Sequence, residues 1–209
     1  MKNDVATVMV VDDDAGVRNA MRILLKSVGL NCTLFASAQE FLGSYQPSQQ
    51  GCLVLDIRMP GMSGLELQQQ LNLRGAVIPV IFVSGHGDIP MAVEAMQHGA
   101  FDFLQKPFRD QDLLDRIQRA IAKDVQLRKS LGDHARIRSH LDSLTPRERE
   151  VLGLLTQGKQ NKAIAQDLAV SPRTIEIHRA RVMEKMSAHS VAELVRMMLD
   201  LNHAASGVR

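Results

Sequence analysis

Hydrophobic positions along the chain change rhythm twice. Up to about residue 120, short apolar runs rich in β-branched residues alternate with stretches whose apolar positions fall three and four apart, which predicts strand and helix in turn. The predicted strands are 8–11, 32–36, 51–56, 77–83 and 101–104. The intervening helices are 17–28 with Gly29 as its C-cap, one from Ala38, one after Gly64, one at 91–98 and one from Asp110 onward. Strictly alternating strands and helices predict an α/β fold, a doubly wound five-stranded parallel sheet with right-handed connections.

Beyond the fifth strand the rhythm becomes purely helical. Leu113, Leu114, Ile117, Ile121, Leu127, Leu131, Ile137 and Leu141 recur among many charges, so the fifth helix is expected to run on as a helical linker, with Gly132-Asp133 as its one break. Thr145-Pro146-Arg147-Glu148 then has the residues of a capping box with proline at the first helical position. That helix stops at Gly158. Asn161 opens a short helix, Val170 covers a turn, and Ser171-Pro172 starts a third helix with Ile175, Ile177, Val182 and Met186 among its apolar positions. A fourth carries Leu194, Val195, Met198 and Leu201 on one stripe. Two short helices across a tight turn predict a helix-turn-helix. The expected layout is a larger α/β domain at 1–122, a helical linker at 123–140 and a second, smaller all-α domain at 141–209.

Composition narrows the setting. The 209 residues are 45% hydrophobic and 23% charged, values of a water-soluble globular protein, and no run approaches the ~20 apolar residues a spanning helix needs. The opening M-K-N-D-V-A-T-V-M-V-V-D-D-D meets three acids where a signal peptide needs its apolar core, so the expected location is the cytoplasm, with no membrane partner. Cys32 and Cys52 lie in strand-like runs without C-x-x-C spacing and read as reduced, buried thiols. Charge is unevenly spread. Residues 1–125 hold 11 Lys and Arg against 14 Asp and Glu, net −3, whereas 126–209 hold 14 against 9, net +5. A basic C-terminal half suits a polyanion partner, although an excess this mild is also common on an ordinary solvated surface.

Candidate chemistry lies where polar residues interrupt the strands. The first strand ends in Asp12 and Asp13, the third in Asp56, the fourth in Ser84, and the fifth runs on to Lys106. Asp56 sits in L-V-L-D-I-R-M-P-G-M-S-G, where a carboxylate closing a core strand needs either a structural partner or a place at the open C-terminal edge of the sheet. In a parallel sheet all these strand ends share one edge. Clustered carboxylates repel unless a cation lies among them, and a hard oxygen site with two or three acids suits Mg²⁺. The competing reading is that these acids are solvated loop residues. His86 and His98 read as surface positions, and Met59, Met62, Met91 and Met96 as packing. In the third helix of the C-terminal half, Arg173, Thr174, Glu176, His178, Arg179, Arg181 and Lys185 mix cations with hydrogen-bonding groups, as a major-groove reader needs.

Together, V-V-D-D-D, L-D-I-R-M-P-G-M-S-G, V-S-G-H-G-D and D-F-L-Q-K-P-F resemble the flavodoxin-like receiver domain of two-component response regulators, of the FixJ/NarL type and its FixJ branch in particular. The resemblance implies that Asp56 accepts a phosphoryl group and that Asp12, Asp13, Asp56 and the backbone carbonyl of Arg58 hold Mg²⁺. It further implies that Lys106 pairs with the phosphoryl group, that Ser84 and Phe103 are switch residues, and that Lys106-Pro107 is a cis peptide. Position 84 is Ser where many members have Thr, and 103 is Phe where many have Tyr. Both keep the hydroxyl or ring the role needs.

L-T-P-R-E-R-E-V-L, N-K-A-I-A and S-P-R-T-I-E-I-H-R, in that order, resemble the LuxR-type four-helix DNA-binding domain. This implies DNA contacts from Lys162, Arg173, Thr174, Glu176, His178, Arg179, Arg181 and Lys185. The implied partners are a sensor histidine kinase as phosphodonor, promoter DNA, RNA polymerase and a second copy of the chain on phosphorylation. The expected function is a phosphorylation-switched transcription regulator and not an enzyme. Two other readings compete with it: a phosphatase or phosphotransferase using Asp56 as nucleophile, which would need a substrate pocket segment, and a DNA-binding protein whose receiver serves only in dimerisation.

Overall fold

A computed structural model of the chain describes residues 6–85 and 89–206; His86 lies outside the described residues. The order is β1 (Thr7–Val11), α1 (Ala15–Ser27), β2 (Asn31–Phe35), α2 (Ala38–Ser44), β3 (Gly51–Asp56), α3 (Gly64–Leu73), β4 (Val80–Ser84), α4 (Ile89–Gln97), β5 (Asp102–Gln105) and α5 (Asp110–Asp142). Then follow α6 (Pro146–Thr156), α7 (Asn161–Asp167), α8 (Pro172–Lys185) and α9 (Val191–Ser206). The chain divides into two compact units, residues 1–128 and 129–209. Among the described residues no helix is long and apolar enough to cross a membrane.

All strand pairs of the first unit are parallel, in the order β2-β1-β3-β4-β5. Both faces of the sheet are covered, which is why its strands read as continuous apolar runs. Met9, Val11, Leu53, Leu55 and Phe82 face one side and pack with Phe41 of α2, Leu67 and Leu71 of α3 and Ala95 of α4. Val8, Val10, Val54, Ile81, Val83 and Leu104 face the other and pack with Met21 and Leu25 of α1 and with Leu113 and Ile117 of α5. The chain leaves β1 in one direction to β2 and returns on its other side at β3, so the crevice between the C-terminal ends of β1 and β3 is the topological switch point.

The fold departs from the sequence pattern in two places. The fourth strand begins at Val80, which pairs with Leu53, and not at Val77. Ile78 is buried, so the apolar pattern ahead of the strand is genuine. Pro79 has no N–H to give to a ladder, and only its carbonyl serves, accepting from Leu53 N–H at 2.9 Å. The expected break at Gly132-Asp133 does not occur, and α5 is one helix of 33 residues. A single helical glycine costs only about 1 kcal/mol relative to alanine, and the Asp133–Arg136 pair at 3.1 Å spans the same turn.

A buried ion pair ties α5 as far as Arg128 to the first unit. Asp124 of α5 is fully buried and accepts the Gly51 N–H at 2.9 Å. The Arg128 Nε lies 2.9 Å from both Asp124 oxygens, while its Nη atoms donate to the Pro47 and Gln49 carbonyls at 2.7 and 2.6 Å. Gly51 must lack a side chain here: its φ is +138°, and a Cβ would fall 1.9 Å from the Thr7 carbonyl oxygen. The loop before β3 is thereby tied to α5 from below the sheet. Cys52, next in the strand, is buried, and burial with the nearby Asp124 charge pushes its thiol up to about 12.

Removing one partner of a buried, fully hydrogen-bonded pair strands the other. Arg128→Ala is expected to destabilise the first unit by about 3 kcal/mol, read as a shift of its urea midpoint.

Candidate phosphoacceptor site and nucleic-acid interface

At the switch point β1 and β3 each deliver one carboxylate. Asp12 follows β1 directly and is almost completely buried. Its carboxylate accepts the Asp14 N–H at 2.9 Å and its carbonyl accepts Arg18 Nη1 at 2.7 Å, so both ends of the residue are held. Asp56 is the last residue of β3, and its Oδ2 accepts the Arg58 N–H at 2.7 Å. Gly64 makes the following loop feasible. Its N–H reaches the Ile57 carbonyl at 2.9 Å, and a Cβ at this position would lie 2.2 Å from the Asp56 carbonyl oxygen.

Lys106 closes the site. Its Nζ is 3.0 Å from Asp12 Oδ2 and 3.3 Å from Asp56 Oδ1, so one ammonium is shared by two carboxylates from different strands. Its backbone N–H donates to the Ser84 carbonyl at 2.8 Å, which fixes the chain just past β5 against the end of β4. The Lys106-Pro107 peptide is cis. Ser84 is buried at the end of β4, and Phe103 on β5 is partly buried against the apolar cluster that includes Phe82 and Ala95.

Electrostatics set this pocket apart from a salt-bridged surface. Burial raises the Asp56 pKa, and Asp12 adds to the rise, while Lys106 and the Arg58 amide offset part of it. Burial alone would lower the Lys106 pKa, but hydrogen bonding and charge from Asp12 and Asp56 outweigh it and the net direction is upward, so the ammonium stays charged. Asp13 is exposed. Among the described residues no three acidic, histidine or cysteine side chains form a ready-made metal cluster. The pair of carboxylates nevertheless fits a hard divalent cation, which takes one or two carboxylates and keeps several waters. Asp14, the third acid of the run, serves the helix instead. Its Oδ1 caps α1, accepting the Gly16 and Val17 N–H groups at 2.6 and 3.2 Å, and the Val17 and Gly16 bonds lower its pKa.

The second unit holds two apolar clusters. Ile137, Leu144, Leu152, Val182, Met186 and Leu194 form one, and Val151, Leu155, Ile164, Ala165 and Ile175 the other. Thr145 and Glu148 form the capping box of α6, and Ser171 caps α8 with Pro172 at its start. Between α7 and α8 the chain turns through Ala169, in the left-handed region at φ 52°, with Val170 packed on the second cluster. On these helices Lys162, Arg173, Glu176 and Arg181 are exposed.

Four others of the sequence-derived set are half-buried and engaged within the fold or enclosed by it. Thr174 Oγ1 is 2.8 Å from Ser171 Oγ, and Arg179 Nη1 donates to Asn161 Oδ1 at 3.2 Å. His178 encloses its Nδ1. Lys185 departs most from expectation: its Nζ donates to Glu148 Oε2 at 2.7 Å and to the Ser143 carbonyl at 3.1 Å, so the ammonium faces inward. The polar pattern of α8 could not reveal this, because Glu148 lies 37 positions away.

The family of the chain follows from comparison with known proteins. Residues 8–118 match the model for the response regulator receiver domain, and residues 142–198 match that for bacterial regulatory proteins of the luxR family. The chain belongs to the response regulators. It is 45% identical over 201 residues to nodulation protein W of Bradyrhizobium diazoefficiens, covering 96% of this chain and 88% of that protein. It is 47% identical over 192 residues to the transcriptional regulatory protein FixJ of Azorhizobium caulinodans, covering 92% and 91%. Among solved structures, the response regulator StyR superposes with a TM-score of 0.84 at 44% identity, covering 92% of this chain and 98% of that one. Full-length FixJ from B. japonicum gives 0.59 at 43%, covering 95% and 98%. Within this family the receiver is the first unit's fold and the luxR-type segment lies in the second.

Glu148 makes the second unit acid-sensitive. Lys185 and the Thr145 N–H hold its carboxyl down to about 2, below the ordinary value of 4.5. A depressed folded pKa contributes stability that is present above the unfolded value and is lost as pH falls toward the folded one. The thermal midpoint of the second unit is therefore expected to drop between about pH 4.5 and 2, and Glu148→Gln to flatten that drop, measured by circular dichroism across the pH series.

Proposed function

We propose that this response regulator is switched by phosphorylation of Asp56 and controls transcription through α7 and α8. The observation carrying the first part is the Lys106 ammonium shared by Asp12 and Asp56 at the switch point, beside the buried Ser84. A carboxylate oxygen of Asp56 attacks the phosphorus of a phosphohistidine on a sensor kinase. The new O–P bond gives an acyl phosphate as the P–N bond breaks, and the imidazole leaves with the electron pair and takes up a proton. Lys106, close enough to follow the transferring oxygens, offsets their charge, while Asp12 keeps the ammonium from swinging out.

Asp12, Asp13, Asp56 and the Arg58 carbonyl are the groups we assign to Mg²⁺. When bound, the ion neutralises charge on the phosphoryl oxygens. The modified side chain carries roughly −1.5 to −2 charge and three acceptor oxygens. Ser84 and Phe103 are the residues we assign to the switch: the Ser84 hydroxyl would hydrogen-bond one of these oxygens and Phe103 would move into the room vacated, changing the surface around α4 and β5. An open apolar hollow of about 600 Å³ beside Lys106, lined by Val17, Met21 and Leu24 of α1 with Pro107 and Phe108, gives a protein donor a surface to rest on.

For DNA, the exposed Lys162, Arg173, Glu176 and Arg181 are the groups we assign to direct contact, with His178 and Arg179 nearer the helix–helix seam. Phosphorylation is proposed to favour a dimer on a two-fold or repeated promoter site, with RNA polymerase as the downstream partner, in the cytoplasm.

Incubation with Mg²⁺ and acetyl phosphate is expected to give a hydroxylamine-labile phosphoprotein, detected by intact mass, that Asp56→Asn does not form; label persisting in that variant sinks the mechanism. On a duplex selected from a random pool by the wild-type chain, Arg181→Ala should weaken binding and reduce the slope of log affinity against log salt by about 0.9. An unchanged slope would remove α8 from the backbone contacts.

A further inference from the structure

α6 and α8 share two apolar clusters and are joined by one buried ion pair. The Glu148 side chain is 3% exposed, and its Oε2 accepts both the Thr145 N–H at 2.9 Å and the Lys185 ammonium at 2.7 Å. Lys185 is the last residue of α8 and Glu148 lies in the first turn of α6. Each charge therefore sits at the helix end whose dipole favours it. The same ammonium donates to the Ser143 carbonyl at 3.1 Å, which brings the chain between α5 and α6 into the junction. One residue further on, the Met186 carbonyl lies 3.2 Å from His140 Nδ1. The C-terminal end of α8 is thus held by three points from the preceding chain.

We propose that Lys185 is a positioning residue for DNA binding, acting through Glu148 to set the place of α8 and touching no phosphate itself. The inference rests on the reading that α8 binds DNA. Two of the three ammonium donors are already satisfied at short distance. Extending away from the fold toward a phosphate would leave the Glu148 carboxylate buried without its cation, a change that costs more than an exposed phosphate contact returns. Arg173 and Arg181 ride on the same helix and remain exposed, so freeing its C-terminal end lowers the fraction of molecules that hold α8 in its DNA-binding place while the phosphate contacts made once bound stay the same.

The test uses the full chain and the same selected duplex, with affinity measured by fluorescence anisotropy over a salt series. Lys185→Met is expected to weaken binding about tenfold with the salt slope unchanged, and Glu148→Gln, which retains an acceptor for the Thr145 N–H, to weaken it by a similar factor. The double variant should be no weaker than the worse single one, as for two residues acting through one contact. Lys185→Arg should recover most of the affinity. The proposal is overturned if Lys185→Met lowers the slope by about 0.9, if either single variant binds as wild type, or if the two losses add. Should Lys185→Met fail to fold, Lys185→Gln, which keeps an N–H donor for Glu148, carries the slope measurement. Failure of the underlying reading looks different: Arg181→Ala would then leave the slope unchanged as well.

Discussion

One ammonium between two carboxylates organises the first unit. Lys106 can reach both Asp12 and Asp56 only if β1, β3 and β5 end at the same edge, and the parallel sheet places all three strand ends there. β4 separates β3 from β5, so the lysine must extend across the end of that strand. The Lys106 N–H to the Ser84 carbonyl is what anchors its backbone for that reach. Gly64 belongs to the same constraint from the other side, since any side chain there would strike the Asp56 carbonyl and displace the loop that carries the Arg58 amide. Fold, loop and charge placement are therefore one requirement expressed at several positions.

Much of this was legible in the sequence because the signals are local. Strand ends are marked by an abrupt change from apolar to charged, and Asp12, Asp56, Ser84 and Lys106 each stand at such a change, so alternation plus parallel topology is enough to bring them together. Capping residues are equally local: Thr145 with Glu148 and Ser171 with Pro172 announced α6 and α8. What stayed hidden depends on distance along the chain. Asp124 meets Gly51 across 73 positions and Lys185 meets Glu148 across 37, and neither spacing has a signature in the pattern. Asp14 shows the opposite failure. It stands in a row of three acids whose first two are assigned to the site, and the pattern gives no sign that its own oxygen belongs to the N-terminus of α1.

The two buried ion pairs outside the phosphoacceptor site have a common logic. In each, a carboxylate with almost no exposure satisfies a backbone N–H as well as a cation: Asp124 takes Gly51 with Arg128, and Glu148 takes Thr145 with Lys185. A buried pair without such extra hydrogen bonds gains little over apolar packing, whereas one that also satisfies backbone groups fixes where segments distant in sequence must meet. Their value is in specification. Arg128 ties α5 to the loop before β3, and Lys185 ties α8 to the start of α6.

The phosphoacceptor site lacks that completeness, and its incompleteness argues for its role. Asp12 and Asp56 face a single lysine, so with all groups charged the site carries an excess of negative charge before any phosphoryl group arrives. The Asp12 charge raises the cost of ionising Asp56, and Lys106 offsets part of that cost. A phosphoryl group on Asp56 would raise that cost further while removing the carboxylate that Lys106 now contacts. Two outcomes reduce it: a divalent cation among the acids, and movement of Lys106 and Ser84 toward the new oxygens. The first is the reason to assign Mg²⁺ to this donor set. The second would convert a local charge change into displacement at the ends of β4 and β5, the part of the sheet that bears Phe103. A site already neutral and fully hydrogen-bonded, like that of Asp124, would have no such reason to move.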